Sequence, residues 1–161
     1  MRKPGISSNY PQTGFTLIEL IAVIVLLGIL TAVAVPKFID LKEAAIEMSM
    51  EDLVGAVKGA ANMAYAKAIV EDVHQDAAAT ITVNGLVIDI AYGYPTGTAT
   101  GIDRMINQSG WQKRASVFAG AWVYWHGVIQ EDAGAAQCYI RYRQPTVVNT
   151  PPVVDVQTSG C

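Results

Sequence analysis

The sequence predicts an α+β protein. One long N-terminal α-helix, membrane-spanning in its first half and amphipathic in its second, is expected to pack on a small antiparallel β-sheet. Three observations predict this. An apolar run from Phe15 to Val35 carries a single ionisable residue, Glu19; at about 1.5 Å per helical residue it reaches roughly 30 Å, the thickness of a bilayer's hydrocarbon core. Apolar residues then continue at helical spacing to about Val70. The remainder is short runs of β-formers punctuated by Gly, Pro and Asn-Gly.

The first element, residues 1–14, is polar and holds Pro4, Gly5, Ser7, Ser8, Pro11 and Gly14, so it reads as a leader with little reason to fold. It contains Arg2 and Lys3 and no acid, which keeps it on the cytoplasmic side and sends the C-terminal body outward. Removing those two positive charges from a net charge of −3 leaves a body of −5, a poor match for nucleic-acid binding through a general basic field.

Residues 15–36 form the span. A secretory signal peptide is a rival reading, since Ala32-Val33-Ala34 offers an A-x-A cleavage pattern. Against it, the run exceeds the usual length of a signal's apolar region, and Glu19 lies inside it, where a charge costs about 2.5 to 3.5 kcal/mol on insertion scales. A signal anchor whose Glu19 snorkels to the interface satisfies the physics, but gives no reason for Gly14 directly before Phe15.

Residues 37–161 form the exported body, opening with an amphipathic helical half over 37–70. Its apolar positions are Phe38, Leu41, Ile46, Met50, Leu53, Val54, Val57, Ala61, Ala64 and Ala68. Pro36 removes a backbone donor and is expected to kink the helix where span meets body. Gly55 and Gly59, four apart, permit close backbone approach; packing against the domain's own sheet is the expected use, ahead of contact with another chain.

Asp72, His74 and Asp76 alternate in a polar stretch that reads as a solvated loop, not a metal site. Ile81 to Ile90 is a hairpin around Asn84-Gly85, pairing Val83 with Leu86 and Ile81 with Ile88 to place four apolar residues on one face. Tyr92 to Gly101 reads as loop. Thr100 and Asp103 make a capping-box match for a short helix ending by Ser109-Gly110. Asn107-Gln108-Ser109 matches the N-glycosylation pattern, a frequent chance motif.

Further strands are expected within Ser116 to Ile129, broken by Gly120 and Gly127, within Gln137 to Arg143, and at Val153 to Gln157, the last as an edge strand after Pro151-Pro152. Gln130 to Ala136 reads as a turn. Alternation puts Trp125 on the face opposite Trp122, so one large ring is expected exposed or at an interface; His126 reads as an ordinary strand histidine.

The two cysteines are Cys138 and Cys161. An outward-facing body lies where a disulfide persists, and a bridge between them is expected, with free thiols or a bridge between subunits as alternatives. No nucleophile elbow, phosphate loop or metal-ligand spacing is present in the sequence, so no enzyme activity, catalytic residue, cofactor or metal is expected.

Gly14 followed by Phe15-Thr16-Leu17-Ile18-Glu19 resembles the processing signal of type IV prepilins. Gly28 and Pro36 also fall where that family places a glycine and a helix-kinking proline. Pro36 to Leu41, the Asn84-Gly85 hairpin, Tyr92-Gly93-Tyr94-Pro95 and a cysteine-tyrosine strand ahead of Gly160-Cys161 are similar to the mannose-sensitive haemagglutinin (MSHA) branch of type IV pilins. The resemblance implies a pilin fold and a structural subunit, a major pilin, of a helical filament used for surface adhesion. It implies cleavage after Gly14 by prepilin peptidase, methylation of Phe15, and a role for Glu19 in assembly through pairing with the Phe15 ammonium of its own or a neighbouring subunit. The implied partners are further copies of the chain, the pilus assembly machinery, the inner membrane before assembly, and a surface receptor or glycan. The implied localisation is the bacterial inner membrane as a single-pass precursor, then the cell-surface pilus. A minor pilin, a type II secretion pseudopilin and a membrane-anchored binding module are the alternatives.

Overall fold

The computed structural model describes residues 14–106, 109–125 and 138–161. The leader ahead of Gly14, the Asn107-Gln108 part of the glycosylation pattern, His126 and the expected turn at Gln130 to Ala136 lie outside them. The chain divides into two compact units, Met1–Lys42 and Glu43–Cys161. One helix, α1 (Leu17–Val70), runs through both.

In the first unit, the described part is helix with no internal packing partner: the large apolar residues from Leu17 to Leu41 are all exposed. Phe38 and Leu41, expected on a buried amphipathic face, are among them, because burial on α1 begins only at Ile46.

In the second unit the periodicity of α1 is realised. Met50, Leu53, Val57, Ala61, Ala64 and Ala68 are buried in a line, and the alanines at its C-terminal end let a sheet approach closely. The expected single sheet is two. Strands β1 (Ala79–Val83), β2 (Leu86–Ala91) and β3 (Tyr94–Pro95) form one antiparallel sheet, and β4 (Gln112–Ala115), β5 (Ala121–Trp125), β6 (Tyr139–Arg143) and β7 (Val153–Gln157) form the other, in sequence order. Ala64 and Ala68 pack with Ile81, Ile88 and Ile90 of the first sheet. Met50, Leu53, Val57 and Ala61 pack with Trp122, Tyr124, Ile140 and Tyr142 of the second. Tyr142 Oη joins the sheets by donating to the Pro95 carbonyl at 2.7 Å, and the Gly97 N–H donates to Gln144 Oε1 at 2.9 Å.

The hairpin register is the expected one, Ile81 opposite Ile88 and Val83 opposite Leu86, with Asn84 and Gly85 at φ 51° and 79°, the left-handed conformation a two-residue turn needs. The apolar face is graded, however: Ile81 and Ile88 are buried, Val83 is half-buried and Leu86 is exposed. The Tyr92 to Gly101 stretch is not all loop, since Tyr94–Pro95 pairs with β2. The capping box at Thr100 does not form. Helix α2 (Ile102–Met105) has Gly101 at its N-cap with no side-chain cap; Thr100 Oγ1 donates instead to Asp89, and Asp103 is an ion-pair partner of Lys113 at 2.9 Å.

Strand β4 has no counterpart among the expected elements, and within the expected Ser116 to Ile129 stretch β5 begins only at Ala121, the part beyond Trp125 lying outside the described residues. Gln112 to Ala115 are all exposed and carry Lys113 and Arg114, so no alternation announces them; pairing with β5 makes the strand. The Ser116 to Gly120 segment is the turn between them, with Gly120 at φ 69°. Strand β7 is an edge strand, as its prolines suggest. Trp122 and Trp125 lie on opposite faces but, against expectation, neither ring is exposed: Trp122 joins the core against α1, and Trp125, only 9% exposed, is buried against Val123 and Tyr139 on the other face.

Candidate functional site

The N-terminal stretch is built by a helix start. Gly14 and Phe15 precede α1 and are exposed, and Leu20 N–H donates to the Thr16 carbonyl at 3.3 Å, so Thr16 occupies the N-cap. Glu19 then stands at the third helical position and reaches back. Thr16 N–H donates to Glu19 Oε2 at 2.9 Å, Thr16 Oγ1 donates to the same oxygen at 2.8 Å, and Glu19 N–H donates to Thr16 Oγ1 at 3.3 Å. This is a reciprocal capping box, which satisfies two backbone donors that a helix start leaves open. Its signature, Thr-x-x-Glu before an apolar run, stands in the sequence, where the lone charge in the apolar run draws attention away from it.

From Leu17 to Val35 every large apolar side chain of α1 is exposed, and the segment is long and apolar enough to cross a membrane. Each such side chain gains on the order of 1.5 to 3 kcal/mol when removed from water, so covering this surface with apolar surroundings is strongly favoured. Gly28 has open space where a Cβ would stand. Thr31 Oγ1 donates back to the Leu27 and Gly28 carbonyls at 2.8 and 3.1 Å, which lets a hydroxyl sit in an apolar setting. Pro36 lies inside α1, and its ring removes the donor for the Ala32 carbonyl.

At the other end of the chain, Cys138 and Cys161 are joined by a disulfide, with Cα atoms 4.9 Å apart. The bridge sits on α1: Met50 Sδ is 3.2 Å from Cys161 Sγ and 3.7 Å from Cys138 Sγ, with Met50 fully buried. Beyond the place of Met50 on the buried face, no sequence signal marks it as the seat of the bridge. Strand β7, just ahead of Cys161, is held by Asp155, whose Oδ2 lies 3.2 Å from Arg141 Nη2 and 3.1 Å from Arg143 Nε.

Gly55 and Gly59 depart from expectation. Neither packs on the domain's own sheets: a Cβ at either would meet nothing within 4 Å. Asp72 and Asp76 are exposed and His74 is half-buried with its ring edge-on to Tyr65, an ordinary turn after α1. Among the described residues no group of three His, Cys, Asp or Glu side chains could hold a metal ion.

At the N-terminal stretch, the model of the prokaryotic N-terminal methylation motif matches residues 10–35. The chain is also similar to the type IV narrow pilus major component PilA5 of Thermus thermophilus. The two are 47% identical over 55 residues, which cover 34% of this chain and 47% of that protein. The chain thus spans about half the length of this curated relative. No solved structure matches it.

Proposed function

We propose that this chain is a structural subunit of a type IV pilus filament, a major pilin of the MSHA-like kind, that serves surface adhesion and is not an enzyme. The observation that carries the reading is the union of the methylation motif at residues 10–35 with a helix whose apolar surface from Leu17 to Val35 finds no partner among the described residues. Prepilin peptidase would cut after Gly14 on the cytoplasmic face, and Phe15 would become the methylated N-terminus. The span would hold the precursor in the inner membrane until the assembly machinery moves it into the filament, where helix contacts replace lipid contacts. Glu19 would then exchange its bonds to Thr16 for the new ammonium of its own or a neighbouring subunit, since a cation at a helix N-terminus is disfavoured by the dipole and needs a counter-charge. Pro36 would bend α1 between span and body.

Mass spectrometry of the sheared surface fraction tests this. The expected result is a chain beginning at methylated Phe15 within long fibres. A retained Met1 leader would sink the proposal, and short periplasmic rods would assign the chain to a type II secretion pseudopilin.

A further inference from the structure

The second unit carries an open groove of about 440 Å³ between α1 and the β1–β2 hairpin. Its α1 wall is Ala56, Gly59, Ala60 and Met63, and its other wall and floor include Leu86 and Met105. Two large apolar residues stand open at it, Met63 at 57% and Leu86 at 49% exposure. Gly59 adds depth: a Cβ there would meet nothing, although glycine in a helix interior costs about 1 kcal/mol against alanine. The one cation lining the groove among the described residues is Arg104, which is exposed, donates to the Val87 carbonyl at 2.7 Å and pairs with no carboxylate among those residues. Its neighbour Asp103 is committed to Lys113.

A complementary surface lies on the same chain. Met48 is 70% exposed on α1, and Glu51 and Asp52, three and four residues further on, flank it on the same side of the helix. Neither carboxylate pairs with a cation among the described residues. An apolar knob ringed by acids thus matches an apolar groove rimmed by an unpaired cation. One molecule cannot bring them together: Met48 and Gly59 are on one continuous helix, about 16 Å apart along its axis at 1.5 Å per residue.

We propose that the groove receives the α1 turn around Met48 of a second copy of this chain, with Arg104 pairing to Glu51 and Asp52 of that copy. Two different patches joined head to tail leave a free groove at one end and a free knob at the other, so the contact propagates instead of closing. A shallow contact suffices, because each subunit of a filament is held at several places at once. The inference rests on the filament reading and names a contact for it.

The test uses the full chain assembled in cells. Met48→Cys combined with Leu86→Cys should give, on mild oxidation of sheared fibres, a ladder of covalent multimers that reductant collapses, with neither single variant doing so. Fibres that form from the double variant without a ladder overturn the proposal while leaving the filament reading intact; absence of any fibre from the unaltered chain overturns the filament reading instead. If the cysteine variant does not assemble, charge exchange decides. Arg104→Glu alone, and Glu51→Arg/Asp52→Arg alone, should each lower fibre yield about tenfold at unchanged levels of cleaved membrane subunit, and the triple variant should restore it to within about twofold. Failure of restoration, or single variants with normal yield, overturns the contact.

Discussion

The disulfide offers a magnitude that can be worked from the structure. Cys138 and Cys161 are 23 residues apart, and the chain-entropy model gives about 3 kcal/mol for closing a loop of that length in the unfolded ensemble. The double variant Cys138→Ala/Cys161→Ala loses that constraint and also the sulfur contacts to Met50. For a body of this size, about 3 kcal/mol corresponds to a fall in Tm of roughly 10 °C. The measurement is thermal unfolding of the full chain in detergent, followed by tryptophan fluorescence. Trp111, Trp122 and Trp125 all lie in the second unit, so the probe is blind to melting of the apolar half of α1. Reductant added to the unaltered chain should reproduce the shift. Met50→Leu, a near volume-conserving change that leaves the bridge intact, should cost less than about 1.5 kcal/mol. A fall of under about 3 °C in the double variant, against the shift expected from the lost constraint, would refute the assignment of the bridge as the anchor of the C-terminal strand; an equally large fall for Met50→Leu would place the stabilisation in packing and not in the constraint.

Glu19→Ala should leave membrane insertion unchanged or improved, because a charge is removed, while fibre yield in the sheared fraction drops; normal yield contradicts the charge-pairing account. Thr16→Val removes the hydroxyl that caps the helix and should cost about 1 kcal/mol of local stability, read as faster amide exchange over the first turn of α1. Tyr142→Phe leaves the buried Pro95 carbonyl without its donor and should destabilise by about 1 to 3 kcal/mol, measured as a lower urea midpoint. Burial holds the Tyr124 and Tyr142 phenols protonated far beyond the ordinary value of 10.0, with the nearby Asp103 carboxylate adding to the effect at Tyr124 and Tyr94 adding to it at Tyr142. Unfolded tyrosines ionise near that value while these two do not, so above it the unfolded state binds fewer protons. Stability is therefore full below about pH 10 and falls as pH rises through it, which urea midpoints at about pH 9 and pH 11 will check.

What can be read in the sequence tracks how local its physical cause is. The long apolar helical run, the buried row from Met50 to Ala68 and the Asn84-Gly85 register follow from residues within a few positions of one another, and all are present. Strand β4 cannot be read, because Gln112 to Ala115 have neither β-propensity nor alternation and owe their state to β5. Thr100 and Asp103 satisfy the capping pattern but meet stronger partners brought by the fold, Asp89 and Lys113. The two sheets read as one in the sequence because nothing local separates them; the phenol that ties them reaches a carbonyl 47 residues away.

The N-terminal site shows the same rule from the other side. Glu19 is legible as an anomaly, since one carboxylate in an apolar run needs a reason, but its partner in the single chain is Thr16, only three residues earlier. A capped carboxylate already accepting two bonds is cheaper to hold at a membrane interface than a bare one, so the box removes much of the argument that the charge alone demands a second subunit. Gly55 and Gly59 supply a demand that nothing among the described residues meets. They cost helix stability, they face open space, and no turn or positive φ requires them. A glycine that neither bends the backbone nor admits a neighbour among the described residues leaves room for one from outside them, so under the filament reading this face of α1 is tested alongside Glu19: Gly59→Leu should lower fibre yield in the sheared fraction, and normal yield would count against a contact there.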